Sequence, residues 1–174
     1  PEHTACTVFT AGCNLRCPFC HNSELVLPER KPPLLAEEEF FSFLSKRQGI
    51  LDGVCVTGGE PLLQPDIGAF LARIKALGFA VKLDTNGTRP QVLRQLVEQG
   101  LVDYVAMDIK NCPDRYAATC GGMDILPAVE ESLAVLKENN VDYELRTTCV
   151  KPFHDESALE AIGKWISGTE HYYL

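Results

Sequence analysis

Strand-like and helix-like segments alternate along the whole chain, and few folds accommodate that order. Ala5–Thr10 is a run of β-formers. Residues 36–46 follow a helical period, with Phe40, Phe41 and Leu44 on one face. Glu37, Glu38 and Glu39 stand in the first turn, where the helix dipole favours negative charge. Val54–Thr57 reads as a short buried strand. Pro65 suits the start of a helix, and Ile67, Phe70, Leu71 and Ile74 then share its apolar face. The cycle repeats with a strand at 79–83, a helix at 91–99 stopped by Gly100, and a strand at 102–107. A helix at 126–138, a strand at 143–150, a helix at 156–166 and a sixth strand from Tyr172 complete it. Six strands separated by five helices predict a single α/β domain over residues 1–174, built on a parallel sheet of right-handed βαβ units.

The unusual residues fall at one edge of that sheet. A cysteine loop follows the first strand, Gly58-Gly59-Glu60 the second, Asp84-Thr85-Asn86-Gly87 the third, and Asp108-Ile109-Lys110 the fourth. Strand-end Gly, Asn and Asp often only make turns. Four such groups at carboxyl ends instead mark the edge where α/β folds bind ligands. Cys13, Cys17 and Cys20 have the spacing C-x3-C-x2-C, short enough to wrap one inorganic cluster. Three thiolates would leave one iron of a four-iron, four-sulfur cube open to a small molecule, whereas electron-carrying cubes are closed by four. The alternative is a structural zinc completed by His21. Adjacent ligands such as Cys20 and His21 seldom close a tetrahedron, and the sequence offers no second ligand pair.

Five further cysteines need an account. Cys6 and Cys55 lie in apolar runs and are expected to be small buried hydrophobes. Cys112, Cys120 and Cys149 lack cluster-like spacing and are expected to be structural or incidental. A chain of 174 residues with ample Val, Leu and Ile needs no disulfide staples, so a reduced, cytoplasmic protein is expected. Sixteen basic against twenty-four acidic residues give a net charge of −8 and no basic stripe, which argues against nucleic acid as a partner. No apolar run is long enough to span a bilayer and no signal peptide is visible, so no membrane partner is expected. Pro1 is not a native start and the chain stops inside an apolar run, so both ends read as trimmed.

The cysteine loop after the first strand, Phe19 just before its last cysteine, and Thr57-Gly58-Gly59-Glu60-Pro61 after the second strand together resemble the signature of radical S-adenosylmethionine enzymes. The resemblance covers essentially the whole chain. Within that superfamily, Cys20-His21-Asn22, Asp84-Thr85-Asn86-Gly87 and Met107-Asp108-Ile109-Lys110 are similar to the activating enzymes of glycyl radical proteins. The nearest likeness is to those serving anaerobic ribonucleoside-triphosphate reductase, with the pyruvate formate-lyase activases as cousins.

The resemblance implies a partial (β/α)6 TIM-like barrel and a [4Fe-4S] cluster on Cys13, Cys17 and Cys20. Residues 21–54 contain no cysteine, so one cluster is expected. It implies S-adenosylmethionine as second cofactor, cleaved reductively to a 5′-deoxyadenosyl radical that takes hydrogen from a glycine of a partner enzyme. An electron donor such as a flavodoxin or ferredoxin is implied as well. Gly58 and Gly59 would let backbone approach the methionyl amine, and Glu60 would support that amine or lock its own loop. Asp84 would meet the cofactor, Lys110 would pair with its carboxylate, and Asp108 would position both. Phe19 would pack near adenine or serve as a core aromatic. Asp84, Thr85, Asp108 and the Met107 carbonyl would hold a monovalent cation. Arg146, Thr147 and Thr148 fall on strand five, where related enzymes contact ribose or carboxylate. His171, at the start of strand six, lies at the wrong end and is expected to be structural. Two other functions stand beside this one: a radical enzyme acting on a small molecule, such as a deazapurine-forming synthase, and a non-catalytic metal scaffold.

Overall fold

The computed structural model describes residues 3–27 and 33–174. Pro1, which carries part of the expectation of trimmed ends, lies outside the described residues. Six strands form one sheet in the order of the sequence: β1 (Ala5–Thr10), β2 (Gly53–Gly58), β3 (Ala80–Thr85), β4 (Tyr104–Asp108), β5 (Asp142–Arg146) and β6 (Tyr172–Tyr173). Every neighbouring pair is parallel. Sequential parallel strands with helical crossovers are the topology of a (β/α) barrel. With six strands and no pairing between β1 and β6 among the described residues, the barrel is partial.

The expected five helices appear as α2 (Glu37–Ser45), α3 (Ile67–Ala76), α4 (Pro90–Glu98), α6 (Leu126–Glu138) and α7 (Glu156–Trp165). Two short helices add to them, α1 (Ser23–Val26) and α5 (Tyr116–Thr119). Each of these two has a single turn, too short for periodicity to reveal. The longer helices cover one face of the sheet. Leu44 of α2, Leu71 and Ile74 of α3, Leu93 of α4 and Ile162 of α7 have no exposed surface. They meet Val56, Leu83, Val105, Met107 and Leu145 from the strands in a single core. Fully burying one such side chain contributes about 1.5–3 kcal/mol. Asp155 caps α7 by accepting a hydrogen bond from the Ala158 amide at 2.8 Å, satisfying an otherwise orphaned helix donor. Among the described residues, no helix is long and apolar enough to cross a membrane.

Two expectations are corrected. The fifth strand ends at Arg146 rather than Val150. β4 stops at Asp108 and β6 at Tyr173, and after one last bond from the Thr147 amide to Tyr173 O at 2.9 Å the pairing ends. Cys6 and Cys55 are half-buried rather than core residues. Cys6 sits on the edge strand, and Cys55 points to the face of the sheet opposite the helices, beside Lys82 in register.

Candidate active site

The cysteine loop begins where β1 ends and is tied down by backbone. The Gly59 amide donates to Thr10 O at 2.9 Å, Glu60 N to Gly12 O at 2.8 Å, and Gly12 N to Leu25 O at 2.7 Å. Leu15, 2% exposed, plugs the loop into the core. The strand-two glycines owe their identity to this junction. A Cβ on Gly58, at φ +125°, would lie 2.3 Å from Thr10 backbone, and one on Gly59 would lie 2.0 Å from Gly12 O. The demand for glycine thus comes from loop packed on loop, and not only from an approaching ligand.

A cavity of about 640 Å³ opens at the carboxyl ends of the strands, within the size range of ligand pockets. Cys13, Cys17, Cys20 and Phe19 line it together with Gly58, Gly59, Asp84, Thr85, Asp108, Lys110 and Arg146. No disulfide forms, and the three thiols stand free. Among the described residues, no three His, Cys, Asp or Glu side chains converge on a single-ion point. Three free thiols lining one cavity are the donor set that a four-iron cluster with one open iron takes.

The polar wall is a chain of ion pairs. Arg146 reaches Asp84 at 3.3 Å and Asp108 at 3.1 Å, bridging strands three and four. Lys110 pairs with Asp108 at 2.8 Å. Lys82 pairs with Asp84 and lies 3.8 Å from Glu144, which accepts from the Tyr104 hydroxyl at 3.0 Å. Burial alone would push the Asp108 carboxyl up, but Lys110 and Arg146 outweigh it and hold it below the ordinary range. Burial would likewise lower Lys110 and Arg146, and their acidic partners outweigh it and raise both. All three groups stay ionised at neutral pH.

Glu60 does not line the cavity. It has no exposed surface, and both carboxylate oxygens are occupied: Oε1 accepts from Leu62 N at 3.1 Å and from the Thr85 hydroxyl at 2.8 Å, and Oε2 from Asn86 N at 2.7 Å. Burial pushes its carboxyl up to about 7 despite these donors. Of its two expected roles, the structure puts it in the lock between the second and third strand ends. Thr85 spends its hydroxyl on the same lock. Asn86, not Asp84, makes the Asx turn, accepting from Thr88 N at 3.0 Å. Phe19 packs 5.5 Å from Phe153 and 6.1 Å from His154, ring centre to ring centre, and still borders the cavity. His154 holds the Lys110 carbonyl at 2.8 Å, and Thr147 donates to Ile109 O at 2.8 Å, so the β5–α7 connection fixes the lysine loop. His171 is exposed, and its carbonyl accepts from Leu145 N at 2.9 Å in the sheet ladder.

Several residues outside the sequence expectations belong here. Lys82, Tyr104 and Glu144 extend the ionic chain; the alternations Lys82-x-Asp84 and Glu144-x-Arg146 are the signal that would have found them. Cys120 is not incidental. Its buried thiol lies against Cys17 and holds that thiol below its ordinary value. Gly121 beside it packs so closely on Arg16 that a Cβ would lie 2.9 Å from the Arg16 carbonyl oxygen.

Comparison with known proteins agrees with this layout. The sequence model of the Radical SAM superfamily matches residues 7–165. A Methanocaldococcus jannaschii protein provisionally named a glycyl-radical enzyme activating enzyme is 38% identical over 181 residues, covering all of this chain and 73% of its own length. A 7-carboxy-7-deazaguanine synthase of Thermococcus kodakarensis is 31% identical over 74% of this chain and 56% of its own length. Among solved structures, anSMEcpe with bound AdoMet superposes with a TM-score of 0.75 at 17% identity, over 98% of this chain and 51% of that one. A domain of a pyruvate-formate lyase-activating enzyme from Bacteroides vulgatus gives 0.58 at 18% identity, over 70% of this chain and 75% of that one. The likeness to these structures is one of fold, while the family match and the relative spanning the whole chain establish descent: the chain belongs to the radical SAM superfamily.

Proposed function

We propose that this chain activates a glycyl radical enzyme, using one [4Fe-4S] cluster held by Cys13, Cys17 and Cys20 and S-adenosylmethionine bound in the adjoining cavity. The observation that carries the reading is the sharing of one cavity by three free thiols and a balanced set of acids and bases. When bound, the two cofactors supply the electron and the sulfonium whose cleavage yields methionine and a 5′-deoxyadenosyl radical.

The protein's own part is binding, orientation and exclusion of water. Lys110 and Arg146 offer donors to the methionyl carboxylate, and Asp84 offers an acceptor to its ammonium. Asp108 keeps both bases in place through bonds of 2.8 and 3.1 Å. Phe19, backed by Phe153, gives the adenine an apolar surface. Arg146 supplies between Asp84 and Asp108 the positive charge that a monovalent cation would otherwise bring. A reduced, cytoplasmic setting keeps the thiols free to take up iron.

The proposed substrate is a glycine in a partner enzyme, with anaerobic ribonucleoside-triphosphate reductase the first candidate and a flavodoxin or ferredoxin as electron donor. The provisional name of the relative that spans the whole chain supports this. A half-open barrel admits an extended protein loop, and hydrogen transfer needs the reacting atoms near contact. The test is electron paramagnetic resonance after mixing reduced protein, S-adenosylmethionine and the reductase. A glycine-centred doublet, absent with a Gly→Ala partner, is expected. The likeness to a 7-carboxy-7-deazaguanine synthase favours a second reading, a small-molecule substrate. Cofactor cleavage without a partner radical, across several glycyl radical enzymes, would select it.

A further inference from the structure

Asn86 is held in one orientation by groups that leave it no choice. Its Oδ1 accepts from the Thr88 backbone amide at 3.0 Å and from the Thr88 hydroxyl at 2.6 Å. A backbone N–H can only donate, so the carbonyl end of the carboxamide must face Thr88. The amide end then points the other way, to Asn14 Oδ1 at 3.2 Å and to Cys13 Sγ at 3.7 Å. Asn14 closes the ring by donating to the Thr88 hydroxyl at 2.9 Å. The Asn86 backbone is pinned to Glu60 at 2.7 Å, and Asn86 itself is 5% exposed. A flip of the carboxamide would set oxygen against Cys13 Sγ and against Asn14 Oδ1, and NH₂ against an N–H. A second donor, the Leu15 amide, meets the same sulfur at 3.4 Å.

We propose that Asn86 sets the reduction potential of the cluster by donating an N–H···S hydrogen bond to Cys13. This rests on the reading that Cys13 is a cluster ligand. Reduction adds one negative charge to the cluster and its sulfurs, so a fixed donor stabilises the reduced state more than the oxidised one and raises the potential. The Leu15 donor belongs to the backbone and survives any side-chain change; the Asn86 donor is the one that substitution removes. Asn86 is in this role a positioning residue, acting through Cys13.

The experiment is a potentiometric titration of the reconstituted protein without S-adenosylmethionine, followed by electron paramagnetic resonance, for wild type, Asn86→Ala and Asn86→Ser. Serine is too short to reach Cys13 yet can still accept from the Thr88 amide, which preserves the turn. Both variants should shift the potential negative by about tenfold in the reduction equilibrium, ~59 mV for a one-electron couple. An unchanged potential in either variant that retains four irons per chain overturns the proposal. Loss of the cluster from both also overturns it, because Asn86 would then assemble the loop rather than tune it. A wild-type protein that takes up no four-iron cluster would instead sink the reading of Cys13 on which the proposal stands.

Discussion

The two faces of the sheet are made by the same strands and do opposite work. On β3, Val81 and Leu83 turn to the helices with 1% and 0% exposure, while Lys82 and Asp84 turn away from them. On β4, Val105 and Met107 are buried against the helices, and Asp108 faces the cavity. On β5, Leu145 is buried between Glu144 and Arg146. A side-chain period of two lets one strand supply core and chemistry together. The apolar face pins the register, because a slip of one residue would exchange Leu83 for Asp84. The register that the apolar face fixes also fixes where the charged side chains stand.

That division can be broken from either side. The largest effect is expected at the cysteines: Cys17→Ala should abolish cofactor cleavage and iron uptake, while circular dichroism shows the α/β fold retained. Cleavage surviving in that variant would mean the loop is not the cluster site. On the other face, Leu83→Ala should cost about 2–5 kcal/mol in denaturant unfolding, since it opens a cavity among fully buried neighbours. A cost below about 1 kcal/mol would show that this face does not hold the register.

Glu60 belongs to neither face and links the two strand ends. Its carboxyl is pushed up to about 7, so below that pH the folded chain keeps a proton that the unfolded chain has already released. The contribution is fully present below the ordinary glutamate range and is lost as pH rises through about 7, costing about 3 kcal/mol across the window. Thermal melts from pH 4 to 8 should show the fall, and Glu60→Gln should flatten it. A wild-type profile with no such fall would contradict the burial argument.

The charged face should answer in binding rather than in stability. Arg146→Ala or Lys110→Ala should weaken S-adenosylmethionine binding by about 1.5–3 kcal/mol, the worth of a charge-assisted contact, read by calorimetric titration. Unchanged affinity in both would reduce them to structural ion pairs. The smallest effect expected is that of the buffer cation. Sodium and potassium should give the same affinity in wild type, where Arg146 bridges Asp84 and Asp108. They should differ only in Arg146→Ala, and a cation dependence already present in wild type would favour a bound ion instead.

Much of this was legible in the sequence. The helix at Leu126–Glu138 has its expected bounds, and all four strand-end groups stand on one edge. What escaped has physical reasons. The single turns at Ser23–Val26 and Tyr116–Thr119 have no period. For Glu60 the sequence left two roles open, and for the glycines it did not show the second demand on them, because only the fold brings Thr10 and Gly12 against this junction. Cys120 has no spacing to announce it, since its partner Cys17 is distant in the chain and only the fold brings them together. Arg146 stood at a position of several possible uses, and its bridge between two strands is tertiary in origin.

The central claim is that Cys13, Cys17 and Cys20 hold a single cluster with one iron left open beside the cofactor cavity. Mössbauer spectroscopy of protein reconstituted with ⁵⁷Fe tests it directly. The account predicts one [4Fe-4S] cluster per chain, with one of its four irons changing isomer shift when S-adenosylmethionine is added. Two clusters per chain, or a spectrum that S-adenosylmethionine leaves unaltered, would contradict it.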